Sequence, residues 1–495
     1  MRTQNKADKA TGVISAAAAL TRRCENPFSH PANRLAVGIA AAILGLAPIA
    51  AQAVPKTGMP IPNLSNFDTI MNDFMDDNGI EAGLLGIMKD GVIVYQRGFG
   101  WKDDGHTELL RHDALMRIAS CTKPITAAAV QRLIASNFVD PTDLVFELGQ
   151  GGGILNIPAF GGLINNQYQQ IQVIQLLTHT SGMRNNSAGD PTYNEVQIAS
   201  DMAVANPPGR FNTMSWILGN TPLQTTPGTQ RSYSNIGFLA AGLVVEQISG
   251  QSHINYVRNN VFGPMEWMPV TEVVAGRTFV ANRDPREPWY DDDSQVQNVF
   301  DPGGDTVRRP DGGWDHESRI GQGAYVVSTT ALLNLAEMYY ISDQQNGDPT
   351  YGTLVNGNRQ YRWHNGSMPG GTQSMLVQRN DGINYVVIFN KTGTDVNSAQ
   401  GYHFAMQSLI DTEITNGGFA WPSQGVDGQW VDFNNGAAGG GSYEDSWDDV
   451  ALALASSPDE ATLNFKASTS DWTGTISQKI RLRAPQGGVV RIGQQ

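Results

Sequence analysis

Two Asp-Gly turns near opposite ends of the chain narrow its possible folds more than any other feature. Lys89-Asp90-Gly91 joins apolar runs at 82–88 and 92–98, and Asn380-Asp381-Gly382 joins runs at 374–379 and 384–389. Asp-Gly between apolar runs signals a hairpin, because the left-handed backbone it permits matches the twist of paired strands. The chain between the hairpins reads as helical, at 120 to about 136, 171–178, 235–249 and from Ser328-Thr329-Thr330 onward. Helical patterns also precede the first hairpin (68–77) and follow the second (399–412). Strands at both ends with helices between them predict an α+β fold: an antiparallel sheet flanked by helices, with an all-helical subdomain inserted.

Composition sets the class. Hydrophobic residues are 40% and charged residues 16%, which excludes disorder. With 33 basic and 47 acidic residues, and no basic stripe, nucleic acid is not an expected partner.

Residues 1–53 read as a signal peptide. Arg2, Lys6, Lys9, Arg22, Arg23 and Arg34 outnumber Asp8 and Glu25, an apolar run follows at 35–49, and Ala51-Gln52-Ala53 closes it. This predicts a periplasmic or secreted protein. No other run approaches the roughly 18 apolar residues of a membrane span, so no stable span remains after cleavage. Cys121 is then the one cysteine left, and no internal disulfide can form.

The rest divides into a main domain at 54–420 and a small β-rich module at 425–495, joined through Trp421-Pro422-Ser423-Gln424-Gly425. The module's short alternating strands are similar to the opening coils of right-handed β-helices, and a cell-wall or polysaccharide contact is the partner it suggests. Residues 282–318 are rich in Asp, Pro, Gly and Arg, with Trp289, Tyr290 and Trp314. That is long for a plain connection, and its aromatic residues predict an ordered loop lining a site. Asp301, Asp305 and Asp311 lack the order of a calcium loop.

Three stations carry chemistry. In Ser120-Cys121-Thr122-Lys123-Pro124, the Ser-x-x-Lys spacing puts both side chains on one helix face. Pro124 is tolerated only in a first turn, so Ser120 sits at a helix N-terminal edge, where unpaired N–H groups favour an anion. Serine is a weak nucleophile at neutral pH, and a lysine one turn away can accept its proton or stabilise its anion. The second station is Tyr233-Ser234-Asn235, in the turn before the 235–249 helix. Tyr233 can serve as a base if a nearby lysine pulls its pKa down. The third is His364-Asn365-Gly366-Ser367, where a glycine admits close backbone approach to a ligand and a strand edge can offer an N–H to an oxyanion. Cys121, one residue from Ser120, is turned about 100° away on a helix and reads as a buried inert thiol. His179 reads as packing.

Ser-x-x-Lys, Tyr-x-Asn and His-x-Gly each recur by chance; their order and flanking text carry more. Together with Gln175–Gly182, the Pro227-Gly228-Thr229 lead and Gly321–Thr330, they resemble the serine β-lactamase and penicillin-binding-protein superfamily over about residues 64–413. The likeness is to its class C side, with family VIII esterases and D-amino-acid-specific peptidases. It implies that Ser120 forms an acyl-enzyme, Lys123 manages its proton, and Tyr233 acts as base and then protonates the leaving group. Asn235 would hold the substrate amide or Lys123. His364 and Gly366 fall where the family has Lys-Thr-Gly, and the N–H groups of Ser120 and Ser367 would form the oxyanion hole. No metal and no cofactor is implied.

His364 gives little positive charge at pH 7 where the family has lysine, which implies esters or D-amino-acid amides rather than fast β-lactam turnover. A β-lactamase or D-Ala-D-Ala carboxypeptidase and a non-catalytic cell-wall-binding or sensor protein are the alternatives. Lys391-Thr392-Gly393 reads as a turn after the last strand.

Overall fold

The computed structural model describes residues 54–183, 189–265, 268–343, 346–459 and 461–493. The expected signal segment, 1–53, lies outside them.

Both Asp-Gly turns close hairpins. The strands are β1 (Lys56–Thr57), β2 (Ala82–Lys89), β3 (Val92–Gly100), β4 (Arg362–Met368), β5 (Thr372–Gln378) and β6 (Ile383–Phe389). At the first turn Asp90 and Gly91 are both left-handed (φ 49° and 78°), so two residues reverse the chain. At the second only Gly382 is left-handed (φ 81°), and the Arg379 N–H donates to Ile383 O at 2.8 Å across a longer loop. The hairpins lie side by side, with Leu85 of β2 opposite Val387 of β6. The antiparallel sheet runs β1-β3-β2-β6-β5-β4, so β4 is its outer strand.

Helices cover both faces: α1 (Ser65–Asn78), α2 (Thr122–Ala135), α3 (Asn235–Ser249), α4 (Thr329–Met338) and α5 (Tyr402–Asn416), with others between. Gly83 faces Met71 and Met75 of α1, and Gly86 faces Thr329 and Leu333 of α4. The inner strands β2, β5 and β6 are therefore buried almost throughout, not on alternate residues only. Each buried Leu, Val or Ile there contributes roughly 1.5–3 kcal/mol over its exposed state. Helix α3 is buried from Asn235 through Val245, which accounts for its apolar residues on every side. It packs on α2 and so supports the Ser120 corner from below.

Residues 282–318 form an ordered loop wrapped around Arg117. The guanidinium reaches Glu287 (3.3 Å) and the carbonyls of Arg277 (2.9 Å) and Pro310 (3.1 Å), and it stacks over Tyr290. Asp291 and Asp292 pair with Lys391 and Arg309.

In the C-terminal segment β7 (Gln429–Val431), β8 (Thr462–Phe465) and β9 (Arg481–Arg483) pair in parallel, as stacked coils do. They enclose a small core of Val431, Val450, Leu463 and Phe465. The segment is docked on the main body: Val426 N–H donates to Ile93 O and Arg111 to Gly440 O, both at 2.9 Å. Among the described residues no helix is long and apolar enough to cross a membrane.

Candidate active site

Pro124 fixes where α2 begins. It lies in the first turn, where its missing N–H is no loss. The chain enters through a short 3-10 turn, Ala119–Cys121. Ala119 there is left-handed (φ 46°), a conformation that residues with a Cβ seldom take. This turn sets Ser120 at the rim of a cavity, with Lys123 one helical turn along.

Lys123 Nζ donates to Ser120 Oγ (3.0 Å), Asn235 Oδ1 (2.8 Å) and Gln322 O (2.7 Å). Tyr233 is hydrogen-bonded to Ser120 through its hydroxyl, and its ring centroid lies 4.9 Å from Nζ. Ser120, Lys123, Tyr233 and Asn235, drawn from two distant stretches of chain, thus meet in one proton network.

All three acceptors around Lys123 are neutral. Burial outweighs the pull of the more distant Asp190 carboxylate and lowers the ammonium pKa to about 7. A fair share of this lysine is therefore a free amine at neutral pH. The Tyr233 phenol moves the other way: burial raises its pKa, and the hydrogen bond from Ser120 offsets only part. The lowering on which a tyrosine base depended is reversed, because a buried phenolate loses its solvation while the lysine that was to stabilise it is itself half neutral.

A cavity of about 280 Å³ opens over Ser120. Asp190, Tyr193, Asn235, Arg319 and Ser367 are among its lining residues. Ser367 lies on β4, which has a neighbouring strand on one side only. A methyl at Gly366 would collide with Ile118 O and Ser374 Oγ and come within 3.1 Å of Ser120 N. The close approach that this glycine permits is therefore to the nucleophile's own turn, not to a ligand.

His364 is not among the residues lining the cavity. Its ring lies near that of Tyr351 (centroids 6.4 Å apart), and its Nδ1 meets Asn365 O at 2.9 Å. Burial, reinforced by nearby Lys123, lowers its pKa to about 3, so it is neutral. The strand pattern puts it on the same face as Gly366, but it is buried beside Tyr351 and does not reach the cavity wall. Lys391 does not take its place: Nζ donates to Gly79 O (2.7 Å) and pairs with Asp291 (2.8 Å).

Cys121 is buried, its Sγ 3.2 Å from His364 O, and burial pushes the thiol up to about 12. The His179 ring packs against Tyr233 and Phe238, and its Nδ1 accepts from Ser234 N–H.

Three residues that the sequence did not single out, Asp190, Tyr193 and Arg319, complete the site together with Trp314 of the expected aromatic loop. Asp190 accepts from Asn235 Nδ2 (2.6 Å) and so orients the amide that holds Lys123. Its Asp-Pro dipeptide was a turn signal: Asp190 also accepts from Thr192 N–H (3.0 Å). Arg319 pairs with Glu195 and stacks 3.7 Å over Tyr193. Trp314, from the 282–318 loop, packs with Ala119 and Met368 and so braces the nucleophile turn. Among the described residues no group of three or more His, Cys, Asp or Glu is placed to hold a metal ion.

A family model described as Beta-lactamase matches residues 67–409. Protein flp of Staphylococcus aureus (strain MW2) is 25% identical over 204 residues, which cover 41% of this chain and 37% of that one. A putative D-alanyl-D-alanine carboxypeptidase of Salmonella schwarzengrund (strain CVM19633) is 27% identical over 231 residues, covering 44% and 49%. The chain thus spans less than half the length of either. Among solved structures, the D-amino acid amidase from Ochrobactrum anthropi SV3 with D-phenylalanine has 17% identity and a TM-score of 0.48, covering 71% of this chain and 98% of that one. The octameric penicillin-binding protein homologue from Pyrococcus abyssi has 18% identity and a TM-score of 0.48, covering 72% and 79%.

Proposed function

The chain belongs to the beta-lactamase family of serine hydrolases, and from that premise we propose that it hydrolyses carboxylic esters or D-amino-acid amides through an acyl-enzyme on Ser120. The observation that carries this reading is Lys123 Nζ, 3.0 Å from Ser120 Oγ with its pKa lowered to about 7.

Neutral Lys123 takes the Ser120 proton as Oγ attacks the substrate carbonyl. The Ser120 and Ser367 N–H groups stabilise the oxyanion. Tyr233, kept as a neutral phenol, hands a proton to the leaving alcohol or amine and recovers one from Lys123. Water then attacks the ester formed on Ser120; Lys123 again takes the proton and returns it to Ser120 Oγ as the acyl C–O bond breaks and the carboxylic acid leaves. Asn235, steadied by Asp190, holds the lysine through both steps.

The surroundings favour neutral or amine-bearing substrates. The Asp190 carboxylate lines the cavity, the Arg319 guanidinium is engaged by Glu195, and neutral His364 does not line it. Among the described residues the cation that lines the cavity, Arg319, is thus already held by Glu195, which speaks against a substrate carboxylate there and so against a carboxypeptidase or β-lactamase.

Assays with p-nitrophenyl esters, D-amino-acid amides and a chromogenic cephalosporin test this reading. Ester or amide turnover that disappears in Ser120→Ala supports it. Fast cephalosporin turnover with slow ester cleavage overturns the substrate assignment. A folded protein that neither turns over any of them nor is labelled by a serine-directed probe is a binding protein instead. Export is part of the same proposal, and a native protein whose N-terminus is Val54 supports it.

A further inference from the structure

A second and larger cavity, of about 520 Å³, lies where the C-terminal segment meets the main body, and it shares no lining residue with the Ser120 cavity. From the chemistry of its walls we infer that it is a binding site for a neutral saccharide. The volume is in the range of small-molecule sites.

Among the described residues every charged group lining this cavity is already paired inside the protein. Lys102 bonds Glu108 at 2.7 Å. Arg111 meets Asp113 through two bonds of 2.8 Å. Arg286 meets Glu272 at 3.0 Å, and Asp427 pairs with Arg483. An ionic ligand would have to break these pairs, whereas a neutral one can share their remaining lone pairs and N–H groups.

Two residues of the same wall each carry a side-chain oxygen, buried behind the surface, that has no partner. Gln96 is 1% exposed and Thr462 2% exposed, and Gln96 Oε1 and Thr462 Oγ1 are each buried without a hydrogen bond. Gln96 spends its amide N–H groups on Thr329 and Thr330, so its oxygen can only accept. Buried acceptors left open are unusual and call for a donor, which a ligand hydroxyl supplies.

Trp447 adds aromatic surface. Its indole N–H donates to Gln429 Oε1 at 2.7 Å, and a side chain at Gly441 would collide with that end of the ring. The ring is thus held in one orientation, so little freedom is lost on binding. An aromatic surface beside paired planar carboxylates and guanidinium groups, with open acceptors behind, suits an apolar ring face edged with hydroxyls. A peptide terminus would need a free charge.

Titration calorimetry on the full chain tests the inference, using neutral tetrasaccharides of glucose and of N-acetylglucosamine, a polyuronate and an uncharged tetrapeptide. One neutral saccharide is expected to bind at up to millimolar strength, and equally well in Ser120→Ala, since the site does not depend on the catalytic reading. Trp447→Ala should weaken binding about tenfold or more. Thr462→Val breaks no bond within the protein; it should keep or raise the unfolding midpoint yet weaken binding severalfold. No saccharide binding at about 10 mM, preference for the polyuronate or the peptide, or binding untouched in Thr462→Val and in folded Trp447→Ala overturns it.

Discussion

Lys123 and Arg117 stand on either side of Ser120, and both are buried cations, but their surroundings use the charge in opposite ways. Lys123 is met by a hydroxyl, an amide oxygen and a carbonyl, all neutral. Burial therefore acts on it nearly unopposed and lowers it to about 7. Arg117 is met by a carboxylate, two carbonyls and a phenol ring. Burial works against the charge on both it and Glu287, and their attraction offsets part of that. A guanidinium stays charged under such conditions. The contrast teaches that a buried cation without an anion beside it becomes a proton carrier, and one with an anion becomes a tie between segments. Here the tie fastens the loop that delivers Trp314 to the nucleophile turn.

The contrast can be broken by experiment. Ser120→Ala should remove turnover by on the order of 10⁴-fold or more, together with covalent labelling read by mass spectrometry. Lys123→Met should lower kcat by about 10²- to 10⁴-fold while leaving the denaturation midpoint unchanged or higher, since it removes a buried charge with no counter-ion. Arg117→Met should do the reverse: it leaves Glu287 only the longer 3.9 Å contact with Arg283, costs up to about 3–5 kcal/mol of stability, and spares more of the kcat of the folded fraction than Lys123→Met does. If the two methionine variants lose stability alike, the distinction drawn above fails.

Acidity sharpens it further. The rate should climb as pH rises through about 7 and then level, and Lys123→Arg should abolish that limb. The folded state binds fewer protons at Lys123 than the unfolded state does between about 7 and the ordinary lysine value of 10.5. Stability from this group therefore rises with pH across that window, and the penalty is complete below about 7. Urea midpoints of wild type and Lys123→Met, compared at pH 6 and pH 9, should converge at the higher pH. The smallest effect is that of Cys121→Ala. Turnover should stay within a few-fold, and a thiol reagent should leave native Cys121 unmodified, because its thiolate is disfavoured.

Much of this was legible in the sequence where the signal is local. Pro124 announced the start of α2, the Asp-Gly turns announced both hairpins, and α3 spans the limits its apolar run suggests. Ser120 and Lys123 could be paired from spacing alone. The remainder depends on contacts between distant segments. Asp190, Tyr193 and Arg319 come from stretches without periodicity and reach the site only through the fold, and Trp314, whose loop composition marked it as a site aromatic, could not be matched to the nucleophile turn from sequence. The His-x-Gly pattern placed His364 beside Gly366 but could not tell that it is buried next to Tyr351, off the cavity wall. The direction of the Tyr233 shift is set by how deeply the ring is buried, which no spacing records.

The left-handed backbone at Ala119 has its own consequence. Holding a residue with a Cβ there costs about 1–2 kcal/mol, and Trp314 and Gly366 press on the same turn from two sides. The hydroxyl is thus aimed by a cocked hinge that would relax if its clamps were released. Ala119→Gly should let this chain fold more readily and aim less well, which makes robustness and marksmanship rival demands on one peptide unit.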